Sequence, residues 1–215
     1  MKETIFALST VPGLSAISII RISGPSAFSV LRKITIGKTL KSRYAALKKI
    51  VWKGEIIDQC IVITFDKNQS FSGEKTVEIH CHGSIAIIEK LASVLVECGS
   101  DLKIRPAEVG EFTRQAFYNG KIDLIQVEGL SDLLRAETED QRRMSFDQLD
   151  GVVSKKIDKW RTKIISILAF LEADIDFNDQ HLGDIEALGL ILDLIKAGHE
   201  VTVLVPHSRF NEDIR

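Results

Sequence analysis

The chain reads as an α+β protein, and three observations lead to that class. Residues 3–118 alternate short runs rich in β-branched residues with short helical stretches. From about residue 121 onward the pattern turns helical. Between them lies the run TVEIHCHG, which sets Val77, Ile79 and Cys81 against Glu78, His80 and His82. Successive side chains of a strand point to opposite faces, so this run presents one face to a core and a row of ionisable groups to the other side.

The elements follow in order. Residues 4–9 and 16–22 are β-rich and are separated by Val11-Pro12-Gly13, a turn signal. Ser23-Gly24-Pro25 reads as a helix start, with Phe28, Leu31 and Ile34 inward at a spacing of three. Residues 45–57 and 59–65 look like a strand pair joined near Asp58, followed by a polar loop over 66–73 and the Glu78 strand. Residues 85–98 form an amphipathic helix with Gly99 as its stop. Asn119-Gly120 is a turn signal, and Lys121 follows it directly. Over 123–148 Ile125, Leu130, Leu133 and Leu134 continue a stripe begun at Ile122, and Asp150-Gly151 breaks the pattern. The next helix carries Val153, Ile157, Trp160, Ile164, Leu168, Leu171 and Ile175 at alternating steps of four and three, the spacing of a helix pair or bundle seam. Last come a helix over 184–197 and, after Gly198, a strand over 199–205.

Composition narrows the function classes. The 215 residues, 45% hydrophobic and 27% charged, suffice for one large or two small domains with a real core. A net charge of −2 gives no global polycation, so any RNA contact must come from a local patch or a partner. Cys60, Cys81 and Cys98 are odd in number and lack C-x-x-C spacing, which predicts reduced, buried thiols. No apolar run approaches the roughly 20 residues that span a bilayer, and the N-terminus lacks a signal-peptide layout. The expectation is a cytoplasmic protein without a membrane partner.

Four separated motifs occur together: TIFALS (4–9), AISIIRISGPSA (16–27), SFSGEKTVEIHCHG (70–83) and EVGEFTRQAFYNGKIDL (108–124). In this order they closely resemble the N-terminal part of the MnmE family, tRNA-modification GTPases also called TrmE, and the resemblance covers residues 3–177. It implies a folate-binding, dimerising α+β domain over 1–119, similar to that of folate-dependent aminomethyltransferases. A partial helical domain over 120–182 would follow. Residues 183–215 read as a truncated or diverged tail, a remnant of the region where the family inserts its GTPase domain. No G-x-x-x-x-G-K-[ST] occurs in the chain.

The resemblance also implies chemistry. The cofactor would be a reduced folate, 5-formyl- or 5,10-methylene-tetrahydrofolate, supplying a one-carbon unit for the wobble uridine of certain tRNAs. A homodimer would act with the flavoprotein MnmG and meet tRNA through that complex. GTP, Mg²⁺ and K⁺ belong to full-length family members, and this chain is expected to be inactive as a GTPase. Two alternatives stand beside this reading: a non-catalytic dimeric remnant, and a stand-alone folate-dependent protein of the aminomethyltransferase type.

Arg21, Glu78 and Lys121 match the family's folate-site residues. Arg21 closes an apolar strand before a small-residue turn, and its planar fork of donors suits a carboxylate or carbonyl. Without the family match it would equally be a strand-end arginine, solvated or paired with an acidic neighbour. A carboxylate at Glu78 would accept the adjacent ring N–H and amino donors of a pterin; otherwise it is an exposed strand glutamate. An ammonium at Lys121 would meet a ligand carboxylate or carbonyl; alone it is a solvated side chain. Glu78, His80 and His82 also compose a three-ligand zinc set on paper. Nothing further in the sequence supports a metal, and none is expected; on the plainer reading His82 packs or hydrogen-bonds beside Gly83 near the ligand, and His80 is partly exposed. Glu111 and Arg114 read as cap and surface ion-pair residues contributing about 0–1 kcal/mol. The family pattern is altered at Leu14, at Gly83-Ser84 and at Val109-Gly110-Glu111-Phe112.

Overall fold

The computed structural model describes residues 3–37 and 40–176. The chain divides into two units at Leu149/Asp150. The first holds a six-stranded sheet in the order β3-β4-β5-β2-β1-β6, formed by β1 (Thr4–Leu8), β2 (Ser15–Ser23), β3 (Ala46–Trp52), β4 (Glu55–Phe65), β5 (Thr76–Gly83) and β6 (Ile104–Pro106). All neighbours are antiparallel except β1 and β6, which pair in parallel with Thr4 opposite Ile104. Helices α1 (Ala27–Ile34) and α2 (Ile85–Leu102) cover one face. The class is α+β, as the sequence predicts.

The core lies between that face and the two helices. Ile20 and Ile22 of β2, Val62 of β4, and Val77, Ile79 and Cys81 of β5 meet Val30, Leu31 and Ile34 of α1 and Leu91, Val94, Leu95 and Cys98 of α2. The alternation read in TVEIHCHG is therefore realised, with Val77, Ile79 and Cys81 all at 0% exposure. In α1 the inward set includes Val30, while Phe28 packs at its margin. All three cysteines are buried and free. Burial pushes the Cys60 thiol up to about 12 and Cys81 up to about 11, with the Asp58 carboxylate adding to both. Neither is a nucleophile at neutral pH.

Three local expectations are corrected. The hairpin between β3 and β4 turns at Lys53-Gly54 rather than near Asp58, and both turn residues have positive φ, +50° and +86°. Such a two-residue turn matches the twist of the strands it joins. Asp58 sits inside β4. Second, α2 runs through Gly99 to Leu102 and ends on Lys103, which takes the left-handed conformation and returns its N–H to the Gly99 carbonyl. Gly99 serves close packing: a Cβ there would lie 2.6 Å from the Ile104 carbonyl oxygen.

Third, the helical stretch after Lys121 is split. α3 (Glu111–Tyr118) precedes α4 (Leu124–Arg135), which is capped by Asp123 and Gln126 in a reciprocal box, and α5 (Glu139–Leu149) packs back on α4. Gly129 permits the approach, since a Cβ there would lie 2.8 Å from Gln148 Cβ and from the Leu149 nitrogen. In the second unit α6 (Val152–Asp176) is one continuous helix. The seam expected to be packed is solvent-facing: Ile157, Trp160, Ile164, Leu168 and Leu171 are 38–55% exposed. The helix and strand expected over 184–205, and the tail over 183–215, lie outside the described residues. No described helix is long and apolar enough to cross a membrane.

Candidate functional site

The sheet face opposite α1 and α2 carries the candidate residues in register. Arg21 of β2 stands opposite Glu78 of β5, which stands opposite Ile63 of β4. One step along, Ile19, His80 and Ile61 form the next row; one step back, Ser23, Thr76 and Phe65 form the previous one. Side chains in such rows are about 4.5–5.5 Å apart at Cβ, near enough to interact directly.

Arg21 and Glu78 do so. Nε and Nη2 of Arg21 both donate to Glu78 Oε1, at 3.0 and 2.8 Å. Both side chains are largely withdrawn from water, at 26% and 16% exposure, which favours a charge-assisted pair over a surface one. The guanidinium is flanked by two rings, Phe112 of α3 at 5.5 Å and Phe71 of the 66–74 loop at 6.0 Å. Ring faces attract a cation by about 0.5–1 kcal/mol each. The reading of Arg21 as a strand-end arginine with an acidic neighbour thus describes its present geometry. The pairing uses one Glu78 oxygen, leaving Oε2 facing His80 Nε2 at 3.4 Å. That nitrogen is buried and makes no hydrogen bond.

Both histidines agree with the plainer reading, His80 being partly exposed and His82 hydrogen-bonded rather than packed. His80, between Ile19 and Ile61, is the more enclosed, and the His82 side chain is 67% exposed. His82 is tied to Asp58, a buried carboxylate that sequence reasoning passed over as a turn residue. Asp58 Oδ2 accepts the His82 main-chain N–H at 2.9 Å, and Oδ1 meets His82 Nδ1 at 2.8 Å. The β4–β5 ladder pairs down to Ile61 and His80, and the Asp58 carboxylate takes a main-chain donor beyond it. Burial by itself would raise the Asp58 carboxyl, but the His82 main-chain and ring bonds and the Gln59 N–H outweigh it and hold the group below the usual carboxylate range. Among the described residues, no group of three His, Cys, Asp or Glu gathers as a metal site.

Lys121 is placed by the end of α3. Gly120, at φ +66°, donates to the Phe117 carbonyl, and Lys121 N–H reaches back to the Ala116 carbonyl. This six-to-one and five-to-two pair is the Schellman stop that Asn-Gly favours. Lys121 Nζ then donates to the Asn68 carbonyl at 3.0 Å. Its tie to Arg21 is indirect, through the loop that carries both Asn68 and Phe71. The structure brings Arg21 and Glu78 into contact and attaches Lys121 to the same loop. Two described cavities, about 320 Å³ beside Arg105, Glu111 and Tyr118 and about 220 Å³ between α1 and the β3–β4 edge, are lined by none of the three.

Glu111 is also more than a surface cap. It is 7% exposed, accepts two bonds from Arg105 at 2.9 and 2.7 Å, and takes the Glu108 N–H at 2.8 Å. Arg114 completes the cluster by pairing with Glu108 at 2.6 Å. Arg105 was not singled out in the sequence, because its partner lies on the next element. Phe71 and Phe112 were missed as well; their signal was an aromatic on each segment flanking a candidate cation.

A mixed sheet carrying an arginine–carboxylate pair between aromatic rings and leading into helices defines an α+β domain followed by a helical one. Comparison with known proteins specifies which. Residues 4–121 match the family described as GTP-binding protein TrmE N-terminus, and residues 124–215 match the MnmE helical domain. The "tRNA modification GTPase MnmE" of Caulobacter vibrioides is 43% identical over 182 residues, covering 85% of this chain and 40% of that protein. Its counterpart in Granulibacter bethesdensis is 40% identical over 215 residues, covering 100% and 48%. "tRNA modification GTPase mss1, mitochondrial" of Schizosaccharomyces pombe is 39% identical over 215 residues, covering 99% and 43%. The chain belongs to the MnmE/TrmE family, and it spans less than half the length of these relatives.

Proposed function

We propose that this chain is the folate-binding and helical portion of a tRNA-modification protein of the MnmE type, acting in wobble-uridine modification with an MnmG-type flavoprotein. Arg21, Glu78 and Lys121 hold a reduced folate as the one-carbon donor. Residues 1–119 supply Arg21, Glu78 and the homodimer contact, and residues from 120 bring Lys121 and begin the helical domain. tRNA is met through the complex with the flavoprotein, in the cytoplasm. GTP, Mg²⁺ and K⁺ serve the full-length relatives; the P-loop needed for them is not in this chain.

The observation that carries the reading is the Arg21–Glu78 pair between Phe71 and Phe112. A pterin is flat and offers neighbouring ring N–H and amino donors. Glu78 Oε2, which accepts nothing from Arg21, is a suitable acceptor, and aromatic rings close to its partner Arg21 suit a flat ligand. Arg21 holds the carboxylate in place through two hydrogen bonds. When bound, the folate supplies the carbon at the oxidation level to be transferred; the protein's part is to bind and orient it. Calorimetric titration of the chain with 5-formyl-tetrahydrofolate tests the reading. Saturable one-to-one binding is expected, and heats of dilution alone would refute it.

A further inference from the structure

A buried polar cluster fastens the 66–74 loop to the end of α3. Ser72, 1% exposed, lies 2.7 Å from Ser23 through their hydroxyls, and Ser23 donates to Gln115 Oε1 at 2.8 Å. Ser70 donates to the Glu74 carbonyl at 2.6 Å. Asn119 bridges from the helix side. Its Nδ2 donates to the Ser72 carbonyl at 2.8 Å and to Glu74 Oε1 at 3.1 Å. Gly73, at φ +78°, gives the space for this contact, because a Cβ there would lie 2.9 Å from Asn119 Cβ and 3.1 Å from Lys121 Cγ.

This loop depends on polar fastenings. Phe71 is 40% exposed, so burial of its ring holds the segment only partly. Ser72 follows Phe71 directly, and a bond to the Ser72 carbonyl fixes the main chain from which the Phe71 ring projects toward Arg21. The same loop presents the Asn68 carbonyl to Lys121. One amide is thus bonded to the segment that carries both Phe71 and the partner of Lys121.

We infer that Asn119 is a positioning residue for the Arg21–Glu78 site, acting through the 66–74 loop to keep Phe71 against the Arg21 guanidinium and Lys121 on Asn68. The identity of the ligand rests on the folate reading above. Removing the amide releases two loop bonds; Phe71 then retreats, and the face of Arg21 that it covers opens to water.

The test reads the site with and without ligand. The Arg21 Nε–H resonance, assigned by its loss in Arg21→Lys, senses the ring current of Phe71 in the ¹⁵N-labelled chain. In Asn119→Ala that resonance is expected to move, and affinity for 5-formyl-tetrahydrofolate to fall about tenfold, the effect of one hydrogen bond's worth of lost orientation. Asn119→Ser provides a second measurement should the alanine variant fold poorly. An unmoved resonance overturns the inference, and so does a moved resonance with undiminished affinity. If the unsubstituted chain binds no folate, the folate reading fails, while the resonance still decides whether Asn119 positions the loop.

Discussion

Arg105 and Glu111 form a two-point clasp, in which Nη1 and Nη2 of the arginine donate to Oε2 and Oε1 of the carboxylate. The arginine belongs to the edge strand β6 and the glutamate to the first turn of α3, so the clasp sets the entry of that helix.

The clasp predicts acid sensitivity. The Arg105 bonds, helped by the Glu108 N–H and opposed by burial, lower the Glu111 carboxyl to about 2. Its folded value is depressed, so its stabilisation is complete above the ordinary carboxylate value and is lost as pH falls toward about 2. Glu111→Gln should cost about 1.5–3 kcal/mol at neutral pH, the range for hydrogen bonds to charged groups. Denaturant melts from pH 7 down to 2.5 check this. The variant should approach the parent as pH falls, and parallel curves would refute the assignment.

The Arg21–Glu78 contact predicts coupled effects on ligand binding. Glu78→Ala should weaken folate binding roughly ten- to a hundredfold. Arg21→Ala should weaken it too, and the double variant should lose less than the sum, because the two side chains are hydrogen-bonded partners. A calorimetric double-mutant cycle measures this. Strict additivity would show that Arg21 meets the ligand independently.

Two glycines should respond to alanine for different reasons. At Gly54 no atom lies within 4 Å of the added Cβ, so the cost is that of a left-handed backbone alone, about 1–2 kcal/mol. At Gly99 helix propensity favours alanine by about 1 kcal/mol, but the Cβ would lie 2.6 Å from the Ile104 carbonyl oxygen. Since β6 must shift to admit it, Gly99→Ala should be the more destabilising. Thermal melts of the two variants rank them.

A homodimer is expected through the α+β unit. Leu47 and Ile61 lie on the open sheet face of β3 and β4 at 63% and 45% exposure, a patch of the kind that association covers. Light scattering over a dilution series should show a dimer at tens of micromolar, and Ile61→Glu should shift it to monomer. A monomeric parent, with and without folate, refutes the expectation.

The chain should not bind GTP. Phosphates require a loop of main-chain N–H groups with a lysine and a metal-binding hydroxyl, and the sequence holds no such motif. A fluorescent GTP analogue should show no saturable micromolar binding; a clean isotherm would overturn this.

The sheet was legible where burial is one-sided. Val77, Ile79 and Cys81 declared their face by period-two alternation alone, and with them the face of Glu78. Features created by non-local partners were not legible. Asp58 looked like a turn residue because its role depends on His82, 24 positions away in sequence. Gly99 resembled a helix stop because its actual reason is the carbonyl of Ile104 on the next strand. Lys53-Gly54 was passed over because lysine rarely takes positive φ. Of the candidate site, residue types were readable, but the self-pairing of Arg21 with Glu78 was not: register, which sequence does not display, put them opposite each other.

The parallel pairing of β1 with β6 has a consequence in time. β1 is synthesised well ahead of β6, and β2 can close one of its edges at once as a hairpin. The other edge waits for Ile104 to Pro106, about a hundred residues later. During synthesis at about 5–20 residues per second, that interval lasts roughly 5–20 seconds. Throughout it the nascent chain displays an unpaired strand edge of Thr4, Ile5 and Phe6, residues that are nearly inaccessible once folding is complete. The Arg105 bond to Glu3, at 2.6 Å, lies beside this last seam and forms as it closes.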